Sequence, residues 1–346
     1  MDDKRMEKKK VTLQDIADAL NITRSAVSKA LNDHPKMSKK TKEAVNNMAK
    51  ELSYKPNQLA AALRKGKSKL IGVIVPAANI TFFSSVIRGL EESVNNAGYS
   101  VILTQSHDSE EKEKEIIDTL IETRVDGVVA ALGLNTKDYS HFAKLKEERI
   151  PLVFFDRIIK NFGVSTVQID DFKGAYDAVA HLIENGCKRI AHLGGLQHLV
   201  LYRNRLEGYK AALKDHGIEY HSELVQLSDL HHEDGRIATQ RMLELDNAPD
   251  GIFCSSDYAA VGALQVAREN GKDVPNDIKI VGFSNEPFTS FLDPDISSVD
   301  QSSVIMGHKS GELILSNVMS SSSEIKEQNV VLKPTLMIRK SSKIFL

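Results

Sequence analysis

The chain has no tryptophan and only two cysteines, Cys187 and Cys254, among its 346 residues. Both cysteines lie in apolar strand-like or helix-end stretches, so they read as reduced core thiols and not as a disulfide framework. No apolar run approaches the roughly eighteen residues that a membrane-spanning helix needs. The N-terminal "MDDKRMEKKK" is highly charged and lacks the apolar stretch of a secretory signal. These absences set aside a secreted disulfide scaffold and a helical membrane protein. A cytoplasmic protein with no membrane partner is expected.

Signals for catalysis and metal binding are equally sparse. In "HHED", His231 and His232 are adjacent, so their side chains point in different directions, and no matching His or Cys pair follows. Gly194-Gly195 follows a strand-like run, but neither a GxGxxG fingerprint nor a P-loop lysine pattern is present. No Ser-His-Asp or Cys-His arrangement stands out. The sequence therefore gives no catalytic residue, no metal site and no cofactor, and an enzyme reading has nothing to rest on.

What the chain does have is a charge asymmetry hidden by its net charge of −2. Residues 1–69 carry 17 Lys and Arg against 8 Asp and Glu, while the remainder carries 28 against 39. A basic head on an acidic body points to a nucleic-acid-binding module joined to a second function. The length agrees with two or three compact units.

The head opens with "VTLQDIADALNITRSAVSKALNDHP". Leu13, Ile16, Ala17 and Leu20 recur at helical spacing behind Thr12, a candidate N-cap. Asn21 and Ile22 interrupt, and a second helix starts near Thr23 or Arg24, with Val27, Ala30 and Leu31 as its buried stripe. Arg24, Ser25, Ser28 and Lys29 share the opposite face. A third helix follows Ser38, with Val45, Met48, Ala49 and Leu52 inward and lysines outward. Two short helices joined by a tight turn, the second presenting long polar side chains, form a helix-turn-helix. Such a helix fits the major groove, where base edges carry a distinguishable pattern of donors and acceptors.

Beyond this, "YKPNQLAAALRKG" places Pro56 where a helix can start and Gly66 where one can stop. The segment between, Gln58 to Arg64, is too short to be stable alone in water.

Residues 11–76 together resemble the lactose-repressor/galactose-repressor family of bacterial transcription regulators. The elements that carry the resemblance are Thr12-Leu13, Asp15-Ile16-Ala17, Val27-Ser28, Ala30-Leu31-Asn32 and Tyr54-x-Pro56-Asn57. The resemblance implies that Arg24, Ser25 and Lys29 read bases, and that Thr12, Ser28, Asn32 and Thr41 touch the DNA backbone. It further implies a hinge helix, beginning after Tyr54 and Asn57, that forms when two subunits sit on DNA. Leu59 and Ala60 lie on that helix, and Leu63 is its minor-groove wedge, which unstacks a base step and bends the duplex. Lys29 stands where many members have arginine, so a point charge replaces a two-pronged guanine contact.

From Leu70 onward, short β-branched runs alternate with amphipathic stretches. The runs are "LIGVIVP", "SVILTQS", "GVVAAL", "LVFFD", "RIAHLGG", "GIFCSSD" and "IKIVGFSN". Helical patterns at Phe83–Ala97, Glu110–Thr123, Lys173–Asn185 and Tyr258–Asn270 lie between them. This alternation implies parallel sheets covered on both faces, and there are enough strands for two subdomains. Polar residues gather at the ends of these runs: Asp156-Arg157, Ser255-Ser256-Asp257 and Ser284-Asn285, with Phe82-Phe83 opening the helix after the first. Ligands of open parallel sheets bind outside the carboxyl ends of the strands. Carboxylates, an arginine, amides and hydroxyls beside aromatic faces suit a sugar or a similar polar molecule.

This body is similar to periplasmic sugar-binding proteins. The implied fold class is an all-α helix-turn-helix DNA-binding head on an α/β, periplasmic-binding-protein-like body of two Rossmann-like lobes with parallel sheets. The expected divisions are a basic tail at 1–10, the DNA-binding domain at 11–55, a hinge at 56–68 and the effector-binding and dimerisation body at 69–346. Lobe 1 is expected at about 70–168 with 301–329, and lobe 2 at about 169–300 with 330–346. By the resemblance Phe82, Phe83, Asp156, Arg205, Ser256 and Ser284 fall at effector-contact positions, and Arg157, Asp257 and Asn285 join them through the polar clusters. Ser284 replaces an aspartate common in the family, and Leu199, Val200 and Leu201 stand where polar contacts are common. The pocket is thereby less polar, and Arg157, Arg203 and Arg205 make a phosphorylated or acidic effector compatible.

The expected function is a dimeric transcription regulator, foremost a repressor, on double-stranded, pseudo-palindromic operator DNA. A small effector, a sugar or sugar phosphate, binds between the lobes and controls operator affinity. The alternative keeps the DNA role and replaces the small effector with a protein corepressor.

Overall fold

A computed structural model of the protein describes residues 11–54, 67–320 and 327–343. The chain divides into two compact units, residues 1–68 and 69–346.

Among the described residues the first unit has three helices: α1 (Leu13–Ala19), α2 (Arg24–Leu31) and α3 (Lys39–Glu51). Each is started by a side-chain cap, which satisfies a backbone N–H that the helix itself leaves without an acceptor. Thr12 Oγ1 accepts from Asp15 N–H at 3.4 Å while Asp15 accepts from Thr12 N–H at 2.7 Å, a reciprocal capping box. Thr23 Oγ1 accepts from Ala26 N–H at 3.1 Å, and Ser38 Oγ from Thr41 N–H at 3.2 Å. Asn21, at φ 48°, turns the chain between α1 and α2. Ile16, Ala17, Val27, Ala30, Val45 and Ala49 form the buried centre. Leu31, Met48 and Leu52, expected inward, are only partly buried, because so small a unit has little interior.

The second unit contains two six-stranded sheets. The first comprises β1 (Leu70–Val75), β2 (Ser100–Gln105), β3 (Gly127–Ala130), β4 (Leu152–Phe155), β5 (Ser165–Ile169) and β11 (Asn329–Leu332), in the order β11-β5-β4-β3-β1-β2. Every pairing in it is parallel. The second comprises β6 (Ile190–Gly194), β7 (Val225–Leu227), β8 (Gly251–Cys254), β9 (Lys279–Ser284), β10 (Ser297–Asp300) and β12 (Thr335–Met337), in the order β12-β10-β9-β8-β6-β7. Here β12 runs antiparallel to β10, a departure from the expected all-parallel sheets. Only Lys333 and Pro334 separate β11 from β12, too few residues to return to the start of a parallel neighbour. The strand therefore enters the second sheet from its carboxyl end.

Helices cover both faces. In the first lobe these are α4 (Thr81–Asn96), α5 (Glu110–Glu122), α6 (Ser140–Glu147) and α11 (Ser303–Met319). In the second they are α7 (Asp171–Glu184), α8 (Val200–Asp215), α9 (His232–Leu243) and α10 (Asp257–Glu269). The helices expected from sequence lie within two residues of these starts. The chain passes between lobes after β5, after β10 and after β11. The last passage corrects the expected boundary at 329/330: Asn329 to Leu332 pair with Thr166 to Ile169, so the whole of β11 belongs to the first lobe.

Both cysteines are free and buried. Burial pushes the Cys187 thiol up to about 12, so it stays protonated and unreactive.

Helices α4 and α11 approach backbone to backbone. A Cβ on Gly89 would lie 2.2 Å from the Val304 carbonyl oxygen, and one on Gly307 would lie 2.0 Å from that of Val86. Neither neighbour can rotate away, since both are main chain. Gly307→Ala is expected to lower stability by about 1–3 kcal/mol, in the range of overpacked cores. A denaturant midpoint equal to that of the parent chain would contradict this packing.

Candidate functional site

On the first unit the candidate surface is the outer face of α2. Val27 and Ala30 face the core, which leaves Arg24, Ser25 and Lys29 exposed on the other side. Neither Arg24 nor Lys29 has an ion-pair partner among the described residues, whereas Lys42 is held by Asp33 at 2.6 Å. The positive charge of the face is thus uncompensated by ion pairs among the described residues. Thr12, Thr41 and Asn32 border it and already serve the helix ends. Thr12 caps α1, Thr41 Oγ1 lies 2.8 Å from Ser38 Oγ, and Asn32 Nδ2 donates to the Ser28 carbonyl at 2.7 Å. Ser28 is half-buried, and Tyr54 packs against the small core. Asn57, Leu59, Ala60 and Leu63, with the hinge they were assigned to, lie outside the described residues.

In the second unit the carboxyl ends of the strands carry the polar side chains. Arg205, on α8, is 2% exposed. Its Nε donates to Asp171 Oδ1 at 2.8 Å, Nη1 to the Ser255 carbonyl at 2.9 Å, and Nη2 to Gln301 Oε1 at 3.3 Å. Its guanidinium carbon stacks 3.6 Å from the centroid of the Phe283 ring. The residue expected to hold the effector is in this structure a brace between α7, α8 and the ends of β8 and β10. Gln301 continues the chain of contacts by donating to Ser284 Oγ at 2.9 Å.

Two other expected contact residues also serve the framework. Asp257 is fully buried; its Oδ2 accepts from Glu286 N–H at 2.8 Å and its Oδ1 from Ser298 Oγ at 2.7 Å. Burial raises its carboxyl to about 7, against the pull of those hydrogen bonds. Asn285 donates through Nδ2 to Asp300 at 2.6 Å, accepts from Arg339 at 2.6 Å, and donates its backbone N–H to Ser298 Oγ at 2.9 Å. Both were placed among the effector contacts because they follow strands. Position alone did not reveal that their polar atoms are taken by neighbouring strands. Ser256 is half-buried and caps α10 through Tyr258 N–H at 3.2 Å.

Asp156 is different. At φ 55° it turns the chain off β4, it is 9% exposed, and its carboxylate has no hydrogen-bond partner among the described residues. Burial raises its pKa, opposed by Arg157 and Arg205. Arg157 Nη1 donates to Asp108 Oδ1 at 2.7 Å and to the Leu132 carbonyl at 3.3 Å, and the guanidinium lies 5.6 Å from the Phe83 ring centroid. Phe83 meets Phe82 and Phe155 edge-on at 5.1 and 6.3 Å. Leu199, Val200 and Leu201 are buried at the start of α8.

Two hydrogen bonds join the lobes directly here: Phe82 N–H to Glu286 Oε1 at 3.1 Å, and His198 Nε2 to the Leu134 carbonyl at 2.8 Å. Sequence reading missed Asp108, Asp171, Glu286 and Gln301. Gln301 and Glu286 each lie within two residues of a strand's carboxyl end, and that placement was the available signal.

A basic helix-turn-helix head and a two-lobed α/β body with polar side chains gathered at its strand ends fit the class of DNA-binding, ligand-controlled regulators. Residues 12–57 match the bacterial regulatory proteins of the lacI family, and residues 68–339 match the periplasmic binding proteins and sugar binding domain of the LacI family. The HTH-type transcriptional repressor CytR of Escherichia coli (strain K12) is 33% identical over 306 residues, covering 88% of this chain and 89% of the relative. Catabolite control protein A of Priestia megaterium is 30% identical over 292 residues, covering 84% and 87%. Among solved structures, the lac repressor dimer bound to operator and the anti-inducer ONPF superposes with a TM-score of 0.85 at 25% identity, over 96% of this chain and 99% of that one. The chain belongs to the LacI family of bacterial regulatory proteins. It is a DNA-binding transcription regulator under small-molecule control, and not an enzyme.

The buried Asp257 carries a pH signature. Its folded-state pKa of about 7 exceeds the ordinary 3.8. The folded state therefore keeps a proton that the unfolded chain releases, and this contribution is lost as pH rises from about 4 to about 7. Asp257→Asn is expected to flatten the decline in thermal stability between about pH 4 and about pH 7. An unaltered pH slope in the variant would count against a protonated Asp257.

Proposed function

We propose that the protein is a cytoplasmic homodimer that represses transcription from a pseudo-palindromic operator and senses a sugar or related polyhydroxylated effector in its cleft. The observation that carries the DNA half is the exposed, unpaired Arg24–Ser25–Lys29 face of α2. Arg24 and Lys29 donate to guanine edges or phosphates in the major groove, Ser25 contacts either, and the lysines of α3 neutralise phosphates. Thr12, Ser28, Asn32 and Thr41 fix the register on the backbone. Tyr54 and Asn57 lead into the hinge, where Leu59 and Ala60 pair with a second copy and Leu63 wedges into the minor groove.

The effector half rests on Asp156, Phe82, Phe83 and Arg157, which lie at the strand ends where the two lobes meet. Support from relatives is of the same kind: one similar structure is a transcriptional regulator CelR–cellobiose complex, with a TM-score of 0.73, 28% identity and coverage of 96% of this chain and 100% of that one. Control works by linkage. An effector that binds the operator-competent and operator-incompetent states unequally shifts their populations, and operator DNA reciprocally changes effector affinity.

An operator selected from a random DNA pool by the full chain gives the test. Arg24→Ala is expected to weaken that operator by about 1–3 kcal/mol and to relax specificity at one base position in each half-site. Leu63→Ser is expected to reduce specific binding and leave effector binding intact; unchanged operator affinity in a gel-shift titration would refute the wedge. Asp156→Asn is expected to retain operator affinity and lose the effector response, and a parental response in a reporter assay would remove Asp156 from the site.

A further inference from the structure

Glu286 was not singled out by its sequence context, yet its surroundings fix its side chain closely. Its backbone N–H donates to Asp257 Oδ2 at 2.8 Å, and its carbonyl accepts from Thr289 N–H at 3.0 Å and Oγ1 at 2.6 Å. The carboxyl group, 3% exposed, leaves the second lobe and reaches the first, where Oε1 accepts Phe82 N–H. Phe82 is the second residue of α4, and the N-cap of that helix, Ile80, makes no side-chain cap. An acid from one lobe thus serves the positive end of a helix in the other, where a negative charge is stabilised by the helix dipole.

The other oxygen, Oε2, is buried and has no hydrogen-bond partner among the described residues. A buried carboxylate oxygen without a donor is costly, so such a group in a ligand cleft marks a place for a donor from outside the protein. Two more buried atoms at the strand ends have no partner among the described residues, Ser255 Oγ and Arg157 Nε. The Asp156 carboxylate is also without a hydrogen bond among the described residues. The cations are engaged in part, Arg157 through Nη1 only. Arg205 is engaged by Asp171, Ser255 and Gln301, and Arg157 by Asp108; Arg203 is exposed on α8. The carboxylate oxygens of Glu286 and Asp156 are acceptors that want donors, Ser255 Oγ can serve as either, and Arg157 Nε alone is a donor that wants an acceptor.

We propose that Glu286 is a specificity-determining residue of the cleft: Oε1 holds α4 of the first lobe, Oε2 accepts a hydrogen bond from the effector, and the cleft selects an uncharged or amino-bearing polyhydroxylated molecule over its phosphorylated form. This rests on the reading of the cleft as the effector site and departs from the sequence expectation that the arginines admit a phosphate. Closure of the lobes and recognition of a donor then meet on one carboxylate.

The test uses the full-length chain and matched probes: ribose with ribose 5-phosphate, glucose with glucose 6-phosphate, and cellobiose and glucosamine as further uncharged and amino-bearing probes, each titrated by calorimetry. The neutral or amino-bearing probe is expected to bind at least tenfold more tightly than a phosphorylated counterpart. Glu286→Gln, which keeps an oxygen for Phe82 N–H but places an amide donor at the Oε2 position, is expected to weaken the neutral probe at least tenfold and to narrow its advantage over the phosphate. A tighter phosphorylated probe, or an unchanged preference in Glu286→Gln, overturns the proposal. Hydrogen exchange supplies an arm that needs no ligand: the Phe82 amide is expected to exchange faster in Glu286→Ala, and parental protection there overturns the inter-lobe contact. Operator titration of the parent chain separates the two levels. Operator binding with a phosphate preference defeats this inference alone, whereas loss of effector-dependent operator binding defeats the cleft reading beneath it.

Discussion

The guanidinium of Arg205 ties together parts of the body that are far apart in sequence. It joins α8 to Asp171 at the start of α7, to the end of β8 through the Ser255 carbonyl, and to Gln301 just past β10. Asp171 and Gln301 both stand where the chain has just crossed between lobes. The pair with Asp171 is buried on both sides, and burial raises the Asp171 carboxyl to about 7 while Arg205 pulls it down. Breaking such a pair leaves a charge without water or partner, at about 3–5 kcal/mol. The rest of the cleft is arranged around this fixed point. Gln301 carries the contact on to Ser284, and the neighbouring Asp257 and Asn285 hold the turn that aims Glu286 at the first lobe.

A consequence is a division of labour that residue type alone conceals. Among the polar side chains at the strand ends, Arg205, Asp257 and Asn285 are spent on the framework, while Asp156 and one oxygen of Glu286 keep free valences. The framework groups set where the free ones point. Rigid positioning of this kind makes a cleft selective, because a mismatched ligand leaves a buried polar group without a partner. Contacts such as Phe82 to Glu286 and His198 to Leu134 link the two lobes at these strand ends.

Legibility followed the range of the interactions. The capping of α1 by Thr12 and Asp15 acts across three residues, and so do the caps at Thr23 and Ser38. These could be read directly, as could the apolar stripes that place Arg24, Ser25 and Lys29 outward. The alternation of β-branched runs and amphipathic helices gave the α/β class and two sheets. It did not give the antiparallel β12 or the assignment of β11 to the first lobe, because both depend on which distant strand offers a free edge. The placement of Phe82, Phe83, Asp156 and Arg157 at strand ends and helix starts was legible from the alternation. The bracing roles of Asp257 and Asn285 were not.

The sequence by itself therefore determined the family, the three-helix head with its exposed basic face, the two-sheet body and the polar groups at its strand ends. Each of these rests on short-range periodicity, local caps or a contiguous motif. Tertiary structure decided which cleft groups are free. Arg205 meets partners 34, 50 and 96 positions away, and Glu286 meets Phe82 across 204. No local propensity encodes such pairings. They arise when the folded sheets bring strand ends together, and burial then makes every unmatched polar atom there a statement about the ligand.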